Sequence, residues 1–392
     1  MSSENMDNRT TIDKYIENNP DCKIIENKTE ILDGQAKLLQ GFRLPRKLLY
    51  YNIKNGRFAK EYIQIIRDEG GSLKPEDPAD VKKIQALLLG INPTDNRRTK
   101  EDIIKKGQTE LALITRDGYI IDGNRRMAII SELFEETSDA KYNFLKVARI
   151  EQSIGPKDLW TIEAGISLGQ DPKSRYGPIN ELLKLDEGRK AGFTDQEMAE
   201  KLYGTDDASE ITERLERLDL MKEYLKRYND GDDEDFTSIE RNSEHFIELQ
   251  KNKKLAIKNK LTVDEQLACL KMGFRLIHDG IKFSELRDIG SAIKNGWPIE
   301  KIVEGAENME PVKEIEIDPE LDEEAMTDTM VRYKDFEDEV KARKNEDKIS
   351  VILSAILNNF KVLKLDSEDL KKDSEKEKIR QILEHAKKLG NI

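Results

Sequence analysis

The chain has 392 residues and a formal net charge of −13, and apolar and charged residues each make up 37% of it. The length sets an expectation of two or three domains, and the charge excludes reliance on an overall positive field to meet nucleic acid, so that any such contact needs a local basic patch. The two cysteines (Cys22, Cys269) and three histidines (His245, His278, His385) are scattered, which excludes a disulfide framework and a zinc site of recognisable spacing.

No apolar run approaches the ~20 residues a membrane span needs, and the Ser/Asn/Asp-rich start lacks a signal-peptide pattern; a cytoplasmic protein with free thiols and no membrane partner is expected. Residues 1–40 are polar and mixed in charge, and read as a loose arm docking on the body or on a partner. Leu44 to Arg57 reads as a short strand running into an Asn/Gly turn, with Tyr50, Asn55 and Arg57 as candidate pocket residues. Phe58 to Arg67 and Val81 to Leu89 have helical periodicity; Asn92 to Asp95 reads as a turn, and Thr99 opens another short helix.

Leu111 to Thr115 is a predicted strand, Arg116-Asp117-Gly118 a hairpin turn of the Asp-Gly kind, and Tyr119 to Asp122 the return strand. Gly123 then makes a sharp turn into a helix that begins Asn124-Arg125-Arg126 and carries Met127, Ile129, Ile130, Leu133 and Phe134. A strand that turns at glycine into a helix presents unpaired N–H groups and the positive end of the helix dipole, and two arginines add bidentate donors suited to phosphate. Asp122 is the nearest carboxylate, to be read either as a catalytic group that orients water or accepts a proton, or as a helix N-cap. Phe144 to Ile150 completes a small α+β domain over residues 41–156.

From Lys157 the pattern is helical. Thr194 and Glu197 form a capping box, Gly204 a C-cap, and Asp207 with Glu210 a second box before a helix with Ile211, Leu215, Leu218, Met221 and Leu225 on one face. The pair outlines a helix-turn-helix over 157–228. Its DNA-contact candidates are Arg189, Lys190, Lys201 and Arg214, set against Glu210, Glu213, Glu216 and Asp219 on the would-be recognition helix. The acidic stretch 230–235 reads as a solvated linker, and residues 236–306 as a helical domain that includes a Thr262/Glu265 box. Residues 307–328 form an acidic linker, and 329–392 a helical region for packing, homodimerisation or a partner protein.

The order of these parts resembles the ParB/sulfiredoxin superfamily over about residues 44–228. Gly107-Gln108-Thr109 looks like that family's first nucleotide-contacting box, and Gly123-Asn124-Arg125-Arg126 looks like its Gly-Glu-Arg-Arg box with Asn in place of Glu. The resemblance implies a nucleotide such as CTP or ATP at the turn, with Mg2+ as its companion ion, and Gly107, Gln108, Thr109, Gly123, Asn124, Arg125, Arg126 and Arg57 around it. Members use this turn for CTP-gated DNA clamping, for ATP-dependent kinase or reductase chemistry, or for DNA cleavage. In place of the third box, Glu-Asn-x-x-Arg, this chain has Glu163-Ala164-Gly165-Ile166-Ser167, with Arg175 further on, and no cysteine stands near the motif. Glu163 is either a magnesium or substrate ligand or a glutamate on a helix surface.

The expected architecture is an α+β, ParB/sulfiredoxin-like mixed-sheet domain followed by a mainly α-helical region with a helix-turn-helix. The expected function is nucleotide-regulated DNA binding in plasmid, phage or defence biology. Its alternatives are a magnesium-dependent phosphotransferase or nuclease using Asp122 and Glu163, and a non-catalytic protein-binding adaptor.

Overall fold

The structure, a computed structural model, describes residues 3–32, 35–53, 56–168, 177–229, 234–307, 328–362 and 372–389. Five strands, β1 (Lys23–Leu32), β2 (Gln35–Pro45), β3 (Ala112–Ile114), β4 (Ile120–Asp122) and β5 (Phe144–Arg149), form one sheet in the order β1-β2-β5-β3-β4. The sheet is mixed: β3 runs parallel to β5 and the other neighbours pair antiparallel. The first helices are α1 (Ser3–Asn18), α2 (Ala59–Glu69), α3 (Pro78–Gly90), α4 (Pro93–Lys106) and α5 (Asn124–Thr137).

All three residues of β3 are buried, which explains a continuous apolar run instead of an alternating one. Ala112 and Ile114 face a core shared with Phe42, Val147, Met127 and Ile130, while Leu113 joins Ile121, Ala148 and Ile162 on the other side. Ile162 belongs to α6 (Pro156–Leu168), so α6 covers the second face.

The hairpin expected at Arg116-Asp117-Gly118 forms, with Gly118 at φ +92° and its N–H on Thr115 O at 3.1 Å. The loose arm does not. Residues 3–18 form α1, and residues 23–32 and 35–45 supply β1 and β2. Ile12 is wholly buried, Asn8 donates to Asp117 O at 2.6 Å, and Asp13 pairs with Arg149 at 2.6 Å. A polar segment becomes structural here because a few apolar side chains and the half-buried ion pairs of Asp13 tie it to the hairpin and to β5. The turn expected at Asn92 to Asp95 is instead the start of α4, with Asn92 capping Asp95 N and Pro93 in the first helical position, where its missing N–H costs nothing. The strand expected after Leu44 ends at Pro45; a single-turn 3-10 helix follows, and Tyr50 makes one parallel bridge to Tyr119.

The helical half contains α7 (Pro178–Lys190), α8 (Asp195–Tyr203), α9 (Ser209–Tyr228), α10 (Ser243–Lys258), α11 (Val263–His278), α12 (Arg287–Asn295), α13 (Glu300–Glu307), α14 (Asp328–Val362) and α15 (Asp373–Leu389). The capping boxes at Thr194/Glu197 and Thr262/Glu265 are both present, and Gly204 closes α8 at φ +66°. The box expected at Asp207/Glu210 is absent: Asp207 accepts from Ser209 N at 2.9 Å, and the Glu210 carboxylate is taken by Arg214 one turn on at 2.5 Å. One apolar core runs from Ile179 and Leu182 on α7 through α9 to α13 and on to Tyr333, Phe336 and Val340 on α14. The boundaries drawn near 228 and 306 therefore do not separate cores. Most of the acidic stretch 230–235, and most of the linker 307–328, lie outside the described residues.

Candidate functional site

β4 ends at Asp122, and Gly123 turns the chain into α5 at φ +112°. A Cβ on residue 123 would meet Ala112 Cβ at 2.6 Å, so glycine is required both for the backbone angle and for the close approach to β3. Gly123 is the N-cap and offers no side-chain acceptor; the first intrahelical bond runs from Met127 N to Gly123 O at 2.9 Å. The reading of Asp122 as N-cap is thereby corrected. Its carboxylate instead stands 3.7 Å from the Lys28 ammonium on β1.

Opposite this turn, Gly107 closes α4 at φ +72°. The two glycine turns enclose a cavity of about 480 Å³. Gly107, Gln108, Thr109, Asp122, Gly123, Asn124, Arg125 and Arg126 all border it, so residues chosen from two separate sequence motifs meet in space. Besides Ile103, the walls are completed by the polar residues Thr99, Asp102, Lys106 and Glu110. Sequence reasoning passed over these four; the signal was the approach of an amphipathic helix to the Gly107 turn.

Within this wall the side chains divide by task. Arg126 reaches Glu110 through Nη2 at 2.5 Å, and its Nη1 is buried without a hydrogen-bond partner among the described residues. The same Nη1 lies 3.4 Å from where a Cβ on Gly123 would stand, so the guanidinium is folded over the glycine turn. Gln108 has no such freedom. Its carboxamide donates to Lys146 O at 2.6 Å and accepts from Lys146 N at 2.8 Å, extending the sheet beside β5 like one more rung. Asn124 is 1% exposed, and its carboxamide points inward, accepting from Asn52 N at 3.1 Å and donating to Asn52 O at 3.4 Å. Gln108 and Asn124 border the cavity while their side chains serve the frame.

Behind Asn124 lies a buried polar chain. Asn52 Nδ2 donates to Glu163 Oε1 at 2.9 Å, and Lys184 Nζ donates to Glu163 Oε2 at 2.6 Å and to Glu187 Oε2 at 2.8 Å. Glu163 on α6 is 2% exposed and the Lys184 side chain 0%, which overturns the surface-glutamate reading. Burial pushes the Glu163 carboxyl up to about 7; Lys184 opposes that rise, while Glu187 and Asp122 add to it. With both oxygens engaged and no place in the cavity wall, Glu163 as it stands does not fit a magnesium ligand or a catalytic group beside Asp122. Among the described residues no group of three or more His, Cys, Asp or Glu could hold a metal ion.

Sequence reasoning missed Asn52 and Lys184. The signal for Lys184 was a lysine inside the apolar run Leu182-Leu183-Lys184-Leu185, a position that should face the core. Tyr50 is set aside from the cavity, its ring 5.2 Å from that of Tyr119. Asn55, the Arg57 side chain and Arg175 lie outside the described residues.

The four DNA-contact candidates are mostly engaged by carboxylates. Arg189 pairs with Asp186 and Asp219, Lys190 with Asp186, and Arg214 with Glu210 and Glu181; Lys201 sits over the Phe193 ring. Burial works to raise the Asp186 carboxyl, but hydrogen bonds from Lys222 and Arg189 outweigh it and hold the group at about 2. The proposed recognition helix α9 buries Leu215, Leu218, Leu220, Met221, Tyr224 and Leu225, and exposes Glu213, Glu216, Asp219, Glu223 and Lys226 beyond its first turn. The acids pair with Lys254, Arg189 and Arg227, so these cations on this face are already engaged by carboxylates.

A scan against models of protein families finds no match to this chain, and a search of curated proteins finds none either. The ParB/sulfiredoxin resemblance thus rests on the order of its motifs.

Proposed function

We propose that the chain binds the phosphates of a nucleotide in the cavity between the Gly107 and Gly123 turns. The observation that carries this reading is the Arg126 guanidinium, folded over the uncapped N-terminus of α5 with Nη1 buried and unpartnered among the described residues. A buried donor of that kind costs free energy unless something accepts from it, and a phosphate oxygen at a helix N-terminus is a matched acceptor. The polar walls and the volume of about 480 Å³ suit a nucleotide better than an apolar ligand.

The DNA half of the expected function has less support, because α9 presents acid to solvent and its basic neighbours are paired. We therefore keep nucleotide binding as the function and assign the helical half to packing around it. Calorimetry with CTP, ATP, GTP and inorganic pyrophosphate tests the reading: at least one binds, and Arg126→Ala weakens it by tenfold or more, ~1.5–3 kcal/mol for a hydrogen bond to a charged group. No binding by any of the four sinks it. A gel shift with and without nucleotide over a salt series tests the DNA half, where steep salt dependence would restore it.

A further inference from the structure

Behind this cavity lies the buried chain of Asn52, Glu163 and Lys184. Glu163 and Lys184 do not border the cavity, yet both sit out of solvent, and Asn52 joins Glu163 to Asn124, which does. Burying an ion pair costs desolvation that apolar residues of similar volume would avoid, so stability is a weak account of it and a positioning task is the alternative. The hydrogen bonds name that task. Lys184 and Asn52 hold the two Glu163 oxygens, and Asn52 grips the Asn124 carboxamide through its own N–H and C=O. Asn124 is the first residue of α5, the helix whose leading N–H groups would meet phosphate.

We propose that Lys184 and Glu163 are positioning residues for the phosphate corner: from α7 and α6 they fix Asn52, and through it Asn124, so that the first turn of α5 is held ready for an anion. This rests on the nucleotide reading above and adds to it that the affinity of the corner is set from the helical half. α7 is well placed to impose this. Its Lys184 O accepts from the Trp160 indole at 2.7 Å, and its Asn180 Oδ1 accepts from Lys60 N at 3.0 Å, so the helix is anchored to both α6 and α2. Support of this kind governs the affinity of preorganised sites without touching the ligand.

The test is a binding cycle with inorganic pyrophosphate, read by calorimetry on the full chain. The variants are Asn124→Ala, the charge-free pair Glu163→Gln/Lys184→Met, and all three together. The pair removes both charges at once, which avoids stranding one in the core; should it fail to fold, Glu163→Gln alone takes its place in the cycle. The pair is expected to weaken pyrophosphate about five- to tenfold, and the triple variant to bind no more weakly than Asn124→Ala, because a signal that passes through Asn124 cannot be lost twice. Losses that multiply in the triple variant, or wild-type affinity in the pair, overturn the proposal. A purely structural clamp would give one of those two results. A wild-type chain that does not bind pyrophosphate overturns the nucleotide reading itself, an outcome distinct from both.

Discussion

At the scale of single residues, the site is decided by which polar groups are spent and which are free to act. Of the two amides at the cavity edge, Gln108 is spent on β5 and Asn124 on Asn52, whereas Arg126 keeps one buried nitrogen without a partner among the described residues. The Glu163–Lys184 pair gives two predictions at this scale. At pH 8, above the raised Glu163 carboxyl, Lys184→Met alone leaves a buried carboxylate without its counter-charge and should cost ~3–5 kcal/mol in urea unfolding, more than Glu163→Gln/Lys184→Met. The pH dependence follows from the raised carboxyl. The folded Glu163 keeps its proton up to about 7 while the unfolded one releases it near 4.5, so its contribution is full below 4.5 and is lost as pH rises through 7. Unfolding measured from pH 4.5 to 7.5 should show stability falling across that window, and the charge-free pair should flatten the slope.

At the scale of elements, the β4–Gly123–α5 turn is the joint on which the cavity depends. Gly123→Ala must place a Cβ 2.6 Å from that of Ala112 at a φ of +112°, so the strand and helix have to part. The expected cost is ~1–3 kcal/mol in stability, together with weakened pyrophosphate binding, since the N–H groups move with the turn. A variant with wild-type melting and wild-type affinity would show that the turn is not so constrained. The α8–α9 pair teaches a different lesson. Its outline, with a Thr194 capping box and a Gly204 C-cap, was legible because caps are local chemistry. Whether α9 can read DNA was not, because that turns on which neighbours bury Leu220 and Tyr224 and which acids stay outside.

At the scale of the whole molecule, the α+β sheet domain and the helical half are joined by buried contacts and not only by chain. The N-terminal segment belongs to the sheet domain: α1 inserts Ile12 beneath the β3–β4 hairpin, and β1 and β2 form one side of the sheet. Ile12→Ala should therefore destabilise the fold by ~2–4 kcal/mol, a core cost that a loose arm would not show. On the helical side, α14 carries Tyr333, Phe336 and Val340 into the core that begins on α7, so the C-terminal region is in part a structural helix of that half.

The amino-acid sequence by itself determined the local events: the Asp-Gly hairpin, the glycine turn into α5, two of the three expected capping boxes, and the periodic faces of the helices. Each depends on neighbours within a few residues, where backbone angles, caps and side-chain period act. It also pointed to the Gly107 and Gly123 turns as parts of one site, and they do border one cavity. Only the tertiary structure decided that residues 3–32 and 35–45 are structural, that the Gln108 and Asn124 side chains face the frame, and that Glu163 is buried against Lys184. Those outcomes depend on burial and on partners from 21 to 111 residues away, as the Lys184–Glu163 and Asn52–Glu163 bonds are. Burial is what turned a glutamate, an asparagine and a lysine from ordinary surface residue types into one hydrogen-bonded chain behind the cavity.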